Sequence, residues 1–424
     1  MKLKEPKNVN YSALVISIKT LTELEGCDNV VGTPLIGFQA IVSKNTKVNQ
    51  LGIVFPAETQ LSEEFCKNNN LYRKAEKNKD SKVTGYIEDN RRVKAMKFRG
   101  HRSDCLFMPL ESLSYIKKFN PNDLKEGDTF DEINGYEICK KYLVKVPKSF
   151  EKLEKNKNKF VRVDEKFLPL HYDSENYFRN SFAIPPHKEI IVTQKLHGTS
   201  IRIGNTIVKR KLGLFSKLLN KVGVKIHETE YDYVFGSRRV IKDANNPNQN
   251  HYYDTDLYSM YGKQLEGLLP KGFLVFAELI GWTPEGSPIQ QSYTYNVPEK
   301  TADIYVYRVA HINPEGRVVD LSWDQVIEFC KDINLKHVPE LWRGKHQDFK
   351  AEDWLDTDYR YVLHGGYGNA VPLSEESPCD EGVCIRVDGL APYILKAKSP
   401  KFFEHETKML DKEVVDIETV ESQQ

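Results

Sequence analysis

The segment Lys195-Leu196-His197-Gly198-Thr199-Ser200 follows closely on Glu189–Val192, a short apolar run that reads as a strand. A lysine at a strand end is a candidate nucleophile toward phosphorus. It must be neutral to attack, yet its unperturbed pKa is about 10.4, so burial and neighbouring cations are the expected means of favouring the amine. Gly198 omits a β-carbon where the backbone has to turn tightly and approach a ligand. Other segments place polar groups in apolar, strand-like settings. Phe273–Gly281 (FLVFAELIG) holds Glu278, a carboxylate that is costly to bury without partners. Asp303–Ala310 (DIYVYRVA) sets Tyr305 and Tyr307 two apart, on one side of a strand. In YILKAKS, after an Asp388-Gly389 turn, Lys396 and Lys398 share a face in the same way. Taken singly, each segment is equally an ordinary edge carboxylate, core tyrosine pair or solvated strand face.

Taken in order, the segments resemble the motifs of the covalent nucleotidyltransferases, the superfamily of ATP- and NAD-dependent ligases and mRNA capping enzymes. KLHGTS resembles the nucleophile motif, which makes Lys195 the residue that takes up AMP. GSRRVIK (Gly236–Lys242) resembles the motif that brings an arginine, here Arg238, to the nucleotide or the nucleic-acid end. FLVFAELIG implies that Glu278 bonds the ribose hydroxyls. DIYVYRVA implies an aromatic shelf for the base, with Tyr307 preferred and Tyr305 close behind. DEGVCIRV (Asp380–Val387) implies a metal-holding Glu381, and YILKAKS implies that Lys396 and Lys398 reach the α-phosphate. On this resemblance Gln194, Leu196, Gly198, Ser200, Glu278, Tyr305 and Tyr307 line the nucleotide site. Glu381 and Glu278 serve Mg2+ or Mn2+, and Lys195, Arg238, Lys396 and Lys398 are catalytic. Many ligases have Glu immediately before the nucleophile; Gln194 stands there in this chain, leaving adenine the favoured base.

Three observations choose among the superfamily's branches. His197 in K-x-H-G is similar to RNA ligases that repair nicked RNA, and makes His197 a candidate RNA contact. After Lys398 only 424 − 398 = 26 residues follow, too few for a C-terminal OB domain. A β-rich region precedes the motifs instead, similar to RNA ligases with an N-terminal OB domain. The resemblance therefore implies an ATP-dependent RNA ligase joining 3′-hydroxyl and 5′-phosphate ends through lysyl-AMP and RNA-adenylate. A DNA or mixed polynucleotide ligase is the nearest alternative. A guanylyltransferase is disfavoured by the short C-terminal stretch. A catalytically inactive RNA-binding module is the alternative outside the enzymes.

The expected class is α+β: an OB-like β-barrel over 1–147, a Lys-rich linker over 148–166, and a nucleotidyltransferase domain over 167–424. That domain is expected to use antiparallel sheets with flanking helices. In the first region Ala13–Ile18, Leu35–Val42, Leu51–Phe55, Lys94–Phe98 and Cys105–Leu110 read as short strands. In the last, Ser200–Lys209 reads as a hairpin turning at Gly204-Asn205, and Ser322 with Gln325 forms a capping box ahead of a helix. Leu212, Phe215, Leu218, Leu219 and Val222 form an apolar helical stripe among lysines.

Lys+Arg total 61 against Asp+Glu 60, so no global field draws nucleic acid and any basic surface is local. Two clusters qualify: Lys209 with Arg210, and Lys97 with Arg99, His101 and Arg102. The seven cysteines are odd in number and never spaced C-x-x-C, which excludes a disulfide framework and a zinc knuckle. With no signal peptide or membrane-spanning run, the expectation is a monomer in the cytoplasm or another reduced intracellular compartment.

Overall fold

The computed structural model describes residues 2–144, 161–211, 213, 227–242, 253, 255–359 and 370–414. Most of the Lys-rich linker and the helical stripe from Leu212 to Val222 lie outside the described residues. Two compact units are formed. The first gathers Met1–Val144, Glu175–Phe182 and Ala397–Val414; the second gathers Lys145–Ser174, Ala183–Lys396 and Val415–Gln424. The chain is α+β, rich in sheet with few helices.

In the first unit, Cys105–Pro109, Leu51–Pro56, Ala13–Ser17 and Thr129–Phe130 form one antiparallel sheet in that order. Thr22–Glu23, Val30–Leu35 and Phe38–Ser43 form another. Among the described residues the sheets of this unit do not close into a barrel. The run Leu35–Val42, expected to be one strand, is split by a turn at Ile36 and Gly37, whose φ values are 47° and 82°. Phe55, Phe65 and Phe130 are fully buried beneath the sheets.

The helix Pro400–Asp411 belongs to this unit, and it opens with proline at its first position, where no backbone donor is needed. Phe403 meets Phe38 with ring centroids 4.8 Å apart. Thr407 accepts the Ala95 N–H at 3.1 Å and donates to Glu58 at 2.6 Å. The fully buried Arg92 donates to the Thr407 carbonyl and pairs with Asp411 and Glu58.

In the second unit, Glu189–Gln194 runs between Glu340–Lys345 and Gly382–Val387, with Tyr393–Lys398 beyond the latter. A second sheet has the order Ile241–Lys242, Thr229–Gly236, Thr199–Lys209, Phe273–Gly281, Ala302–Ile312, Val318–Asp320. Lys336–His337 joins Ala302–Ile312 in parallel. The expected hairpin at Gly204-Asn205 is instead the middle of one strand, Thr199–Lys209, paired on both sides. A Cβ on Gly204 would sit 2.7 Å from a Leu274 methyl, so close packing of strands accounts for this glycine. The Asn205 side chain donates to the Leu269 carbonyl instead of shaping a turn. The capping box forms as expected, and the helix it opens is Trp323–Asp332.

Candidate active site

Lys195 leaves the strand Glu189–Gln194 with its N–H donated to the Gly382 carbonyl at 2.9 Å. Its Nζ lies 2.7 Å from Oε2 of Glu381. Glu381 is only 3% exposed, and Nδ1 of His197 stands 3.6 Å from the same oxygen. The sequence reading placed cations around this lysine; the structure gives it a buried carboxylate, which stabilises the ammonium form. Leu196 is buried. The His197 N–H is donated to the Tyr295 hydroxyl at 2.7 Å, and its ring meets Tyr293 edge-on.

Gly198 is also required by the packing of strands. A Cβ there would fall 2.3 Å from the Leu279 carbonyl oxygen, so the glycine permits approach to the neighbouring strand. Its N–H is donated to Oε1 of Glu278 at 2.9 Å, and the Ser200 hydroxyl stands 3.4 Å from Oε2. These bonds offset the cost of setting a carboxylate in an apolar strand. In register, Glu278 lies opposite Ser200 on one side and Tyr305 on the other, so the three share a face.

The register shifts between Phe276, opposite Arg308, and Ala277, opposite Val306, so Tyr307 lies at a bulge. Tyr307, just past Tyr305, packs instead with His171 at 4.7 Å between centroids and against the core containing Leu168 and Phe276. Gln194 is turned inward. It donates to the Val371 carbonyl and to Asp380, and accepts the Val371 N–H, so its amide does not read a base. Burial pushes the Asp380 carboxyl up to about 8, against the hydrogen bonds from Gln194 and the Gly382 N–H.

Arg238 pairs with Asp173 at 2.6 Å, and Arg239 approaches the same carboxylate at 3.7 Å. Burial raises Asp173, but Arg238, Arg239 and Lys396 outweigh it and hold the carboxyl below its ordinary range. Lys396 therefore lies within electrostatic reach of this cluster. Burial pushes the Cys384 thiol up to about 11; Lys195 and Lys396 oppose that while Glu381 and Glu278 add to it, which sets all four charges around one side chain. Lys398, two residues along the strand from Lys396, is held by Glu406 at 3.2 Å above the Phe402 ring, within the first unit.

The family model described as RNA ligase matches residues 188–398, which contain Lys195, Arg238, Glu278, Glu381 and Lys396 but not Asp173, His171 or Glu406. This stretch is an RNA ligase domain. No curated protein matches the chain. Solved structures of Naegleria gruberi RNA ligase share the fold. A variant with ATP and Mn is 15% identical, covering 95% of this chain and 99% of that one, with a TM-score of 0.56. A structure with PPi is 17% identical, at 93% and 98% coverage and a TM-score of 0.57. A variant with AMP and Mn is 16% identical, with the same coverage and TM-score as the PPi structure.

Sequence reasoning missed several groups that shape the ligase site. Asp380 was inside a quoted motif but given no role. Tyr293, Tyr295 and Gln290, whose amide donates to the Gly198 carbonyl at 2.7 Å, come from a loop with no motif signal. Asp173 and His171 precede the matched region. Burial first, then Arg308 and Arg238, hold the His171 imidazole well below its ordinary value, so it is neutral. Its Nδ1 is buried with no hydrogen-bond partner among the described residues.

The basic candidates fall elsewhere. Arg210 lies 3.6 Å from Glu230, and the Lys209 N–H is donated to the Arg162 carbonyl. Lys97, Arg99 and Arg102 lie on a hairpin of the first unit. Among the described residues no group of three or more His, Cys, Asp or Glu forms a metal cage. Glu278 and Glu381 do fit a hard divalent ion of the kind that takes one or two carboxylates and completes its shell with water and phosphate oxygens.

Proposed function

We propose that this chain is an ATP-dependent RNA ligase in which Lys195 carries AMP. The observation that carries the reading is the Lys195–Glu381 contact at 2.7 Å, beside a loop bonded to Glu278. Lys195 Nζ, as the neutral amine after losing one proton to water, attacks the α-phosphorus of ATP, and a second N–H proton leaves to water as the N–P bond forms. The bond to pyrophosphate breaks and a phosphoramidate forms. The AMP then moves to an RNA 5′-phosphate, giving a 5′–5′ pyrophosphate, and a 3′-hydroxyl displaces AMP to close the phosphodiester.

Negative charge gathers on non-bridging oxygens in each transfer, so positioning and cationic stabilisation supply most of the catalysis. Lys396 and Arg238 are the cations nearest this chemistry, and Lys398 joins them after exchanging Glu406 for phosphate. Mg2+ or Mn2+, held by Glu381 and Glu278, supplies further charge neutralisation to the phosphate oxygens. Tyr305 is the preferred base shelf over Tyr307, because it is in register with Glu278 while Tyr307 is engaged by His171. The first unit is read as an OB-like module, and the protein as a monomer of a reduced compartment. No disulfide joins its seven cysteines, and among the described residues no helix is long and apolar enough to cross a membrane.

The test is incubation with Mg2+ and α-labelled ATP or GTP, followed by denaturation. Label from ATP alone, absent in Lys195→Ala and discharged by nicked 5′-phosphate RNA, is the expected result. Label from GTP moves the reading to a capping-type transferase, and absence of label from either, in protein stripped of bound AMP, refutes it.

A further inference from the structure

The hairpin formed by Met96–Phe98 and His101–Ser103 has no part in the chemistry above. Its strands pair Met96 with Ser103, Lys97 with Arg102 and Phe98 with His101. The connection is two residues, Arg99 and Gly100, with φ of 48° and 85°. Glycine takes such a backbone freely; arginine does so under strain. The tip thus holds a cation at a position that favours glycine, asparagine or aspartate.

Alternation divides the remaining side chains. Met96 and Phe98 share a face and are 50% and 45% exposed. Lys97 and Arg102 are directly opposed on the other, and like charges at paired positions repel. Glu404, 3.8 Å from Lys97, and Asp104, 2.7 Å from Arg102, offset part of that repulsion. Arg99 forms no ion pair among the described residues; it donates to the neutral Gly26 carbonyl at 2.7 Å, with its guanidinium 5.9 Å from the Phe98 ring centroid. From Met96 to Ser103 the sequence has three Lys or Arg, one His and no Asp or Glu.

Cations alone would suit pyrophosphate or any acidic surface. An exposed ring next to the tip cation Arg99, with Lys97 on the opposite face, suits a flexible ligand with both phosphates and free π-faces, which is unpaired nucleic acid. We propose that this hairpin grips single-stranded RNA, with Phe98 stacked on an unpaired base, Arg99 at the tip on the adjoining phosphate, and Lys97 on the opposite face taking a further phosphate as the strand passes around the hairpin. The inference rests on the RNA-sealing reading for the identity of the strand, and it places one substrate contact in the first unit.

The test is fluorescence anisotropy of a short labelled single-stranded RNA with the full chain, without ATP, over a salt series. Phe98→Ala should weaken binding roughly tenfold, and Phe98→Trp should restore it. Lys97→Ala/Arg99→Ala should lower the slope of log affinity against log salt by about 1.4, the value for two phosphate contacts on a single strand. Circular dichroism confirms that each variant is folded. Wild-type affinity in Phe98→Ala, or a wild-type slope in the double variant, overturns the proposal. Lysyl-AMP formation by the unsubstituted protein is measured separately, so failure of the grip and failure of the sealing reading are distinguishable.

Discussion

At the scale of single residues, the proposed nucleophile rests in a salt bridge. Lys195 Nζ lies 2.7 Å from a carboxylate that is 3% exposed, so the proposed nucleophile has to lose its proton against that negative charge. Glu278 works differently: it accepts from Gly198 and faces the Ser200 hydroxyl, so it shapes the turn that presents Lys195. Glu278→Ala removes hydrogen bonds to a charged group, each worth about 1.5–3 kcal/mol. The rate of lysyl-AMP formation at saturating ATP is expected to fall about a hundredfold. An initial rate of label incorporation within threefold of wild type would show that the turn does not depend on it. Lys195, Glu278 and Glu381 are singled out in the sequence by the resemblance of their segments to the nucleotidyltransferase motifs. The partners of Gln194 are not, because Val371 is 177 residues away in sequence.

At the scale of elements, the site depends on how closely two strands approach. Gly198 and Gly204 both lie where a Cβ would meet the strand Phe273–Gly281, and at Gly198 the obstacle is a backbone carbonyl. Overpacking of this kind costs about 1–3 kcal/mol, and a reacting group displaced by about 1 Å loses about a hundredfold in rate. Gly198→Ala is therefore expected to lower denaturant stability modestly and lysyl-AMP formation by about two orders of magnitude. Near-normal labelling by a stably folded variant would show that the strand can move aside.

At the scale of the whole molecule, the first unit is assembled from three separated stretches, including the helix Pro400–Asp411 that follows the Lys396–Lys398 strand. Within it the buried Glu58 meets Thr407 and Arg92. Burial, opposed by Arg92, pushes the Glu58 carboxyl up to about 7. The folded state thus holds a proton that the unfolded chain releases near the ordinary carboxyl value. The resulting stability is present below about pH 4 and is lost as pH rises toward about 7, by about 3 kcal/mol in all. Glu58→Gln, neutral at every pH, should not lose stability in that window. Thermal melts of the two proteins from acid to mildly alkaline pH should therefore diverge, and parallel curves would remove Glu58 as the cause.

The sequence by itself supplied the candidates for the chemistry: the resemblance of its ordered segments to the nucleotidyltransferase motifs singled out one lysine, two carboxylates and a set of cations. It also determined local stops and starts such as the Ser322 cap. Only the tertiary structure decided what those groups touch. The Lys195–Glu381 pair, the inward turn of Gln194 and the hold of Glu406 on Lys398 all follow from register or from which unit a segment joins. Such contacts are settled by packing between residues far apart in the chain, where spacing along the sequence carries no information.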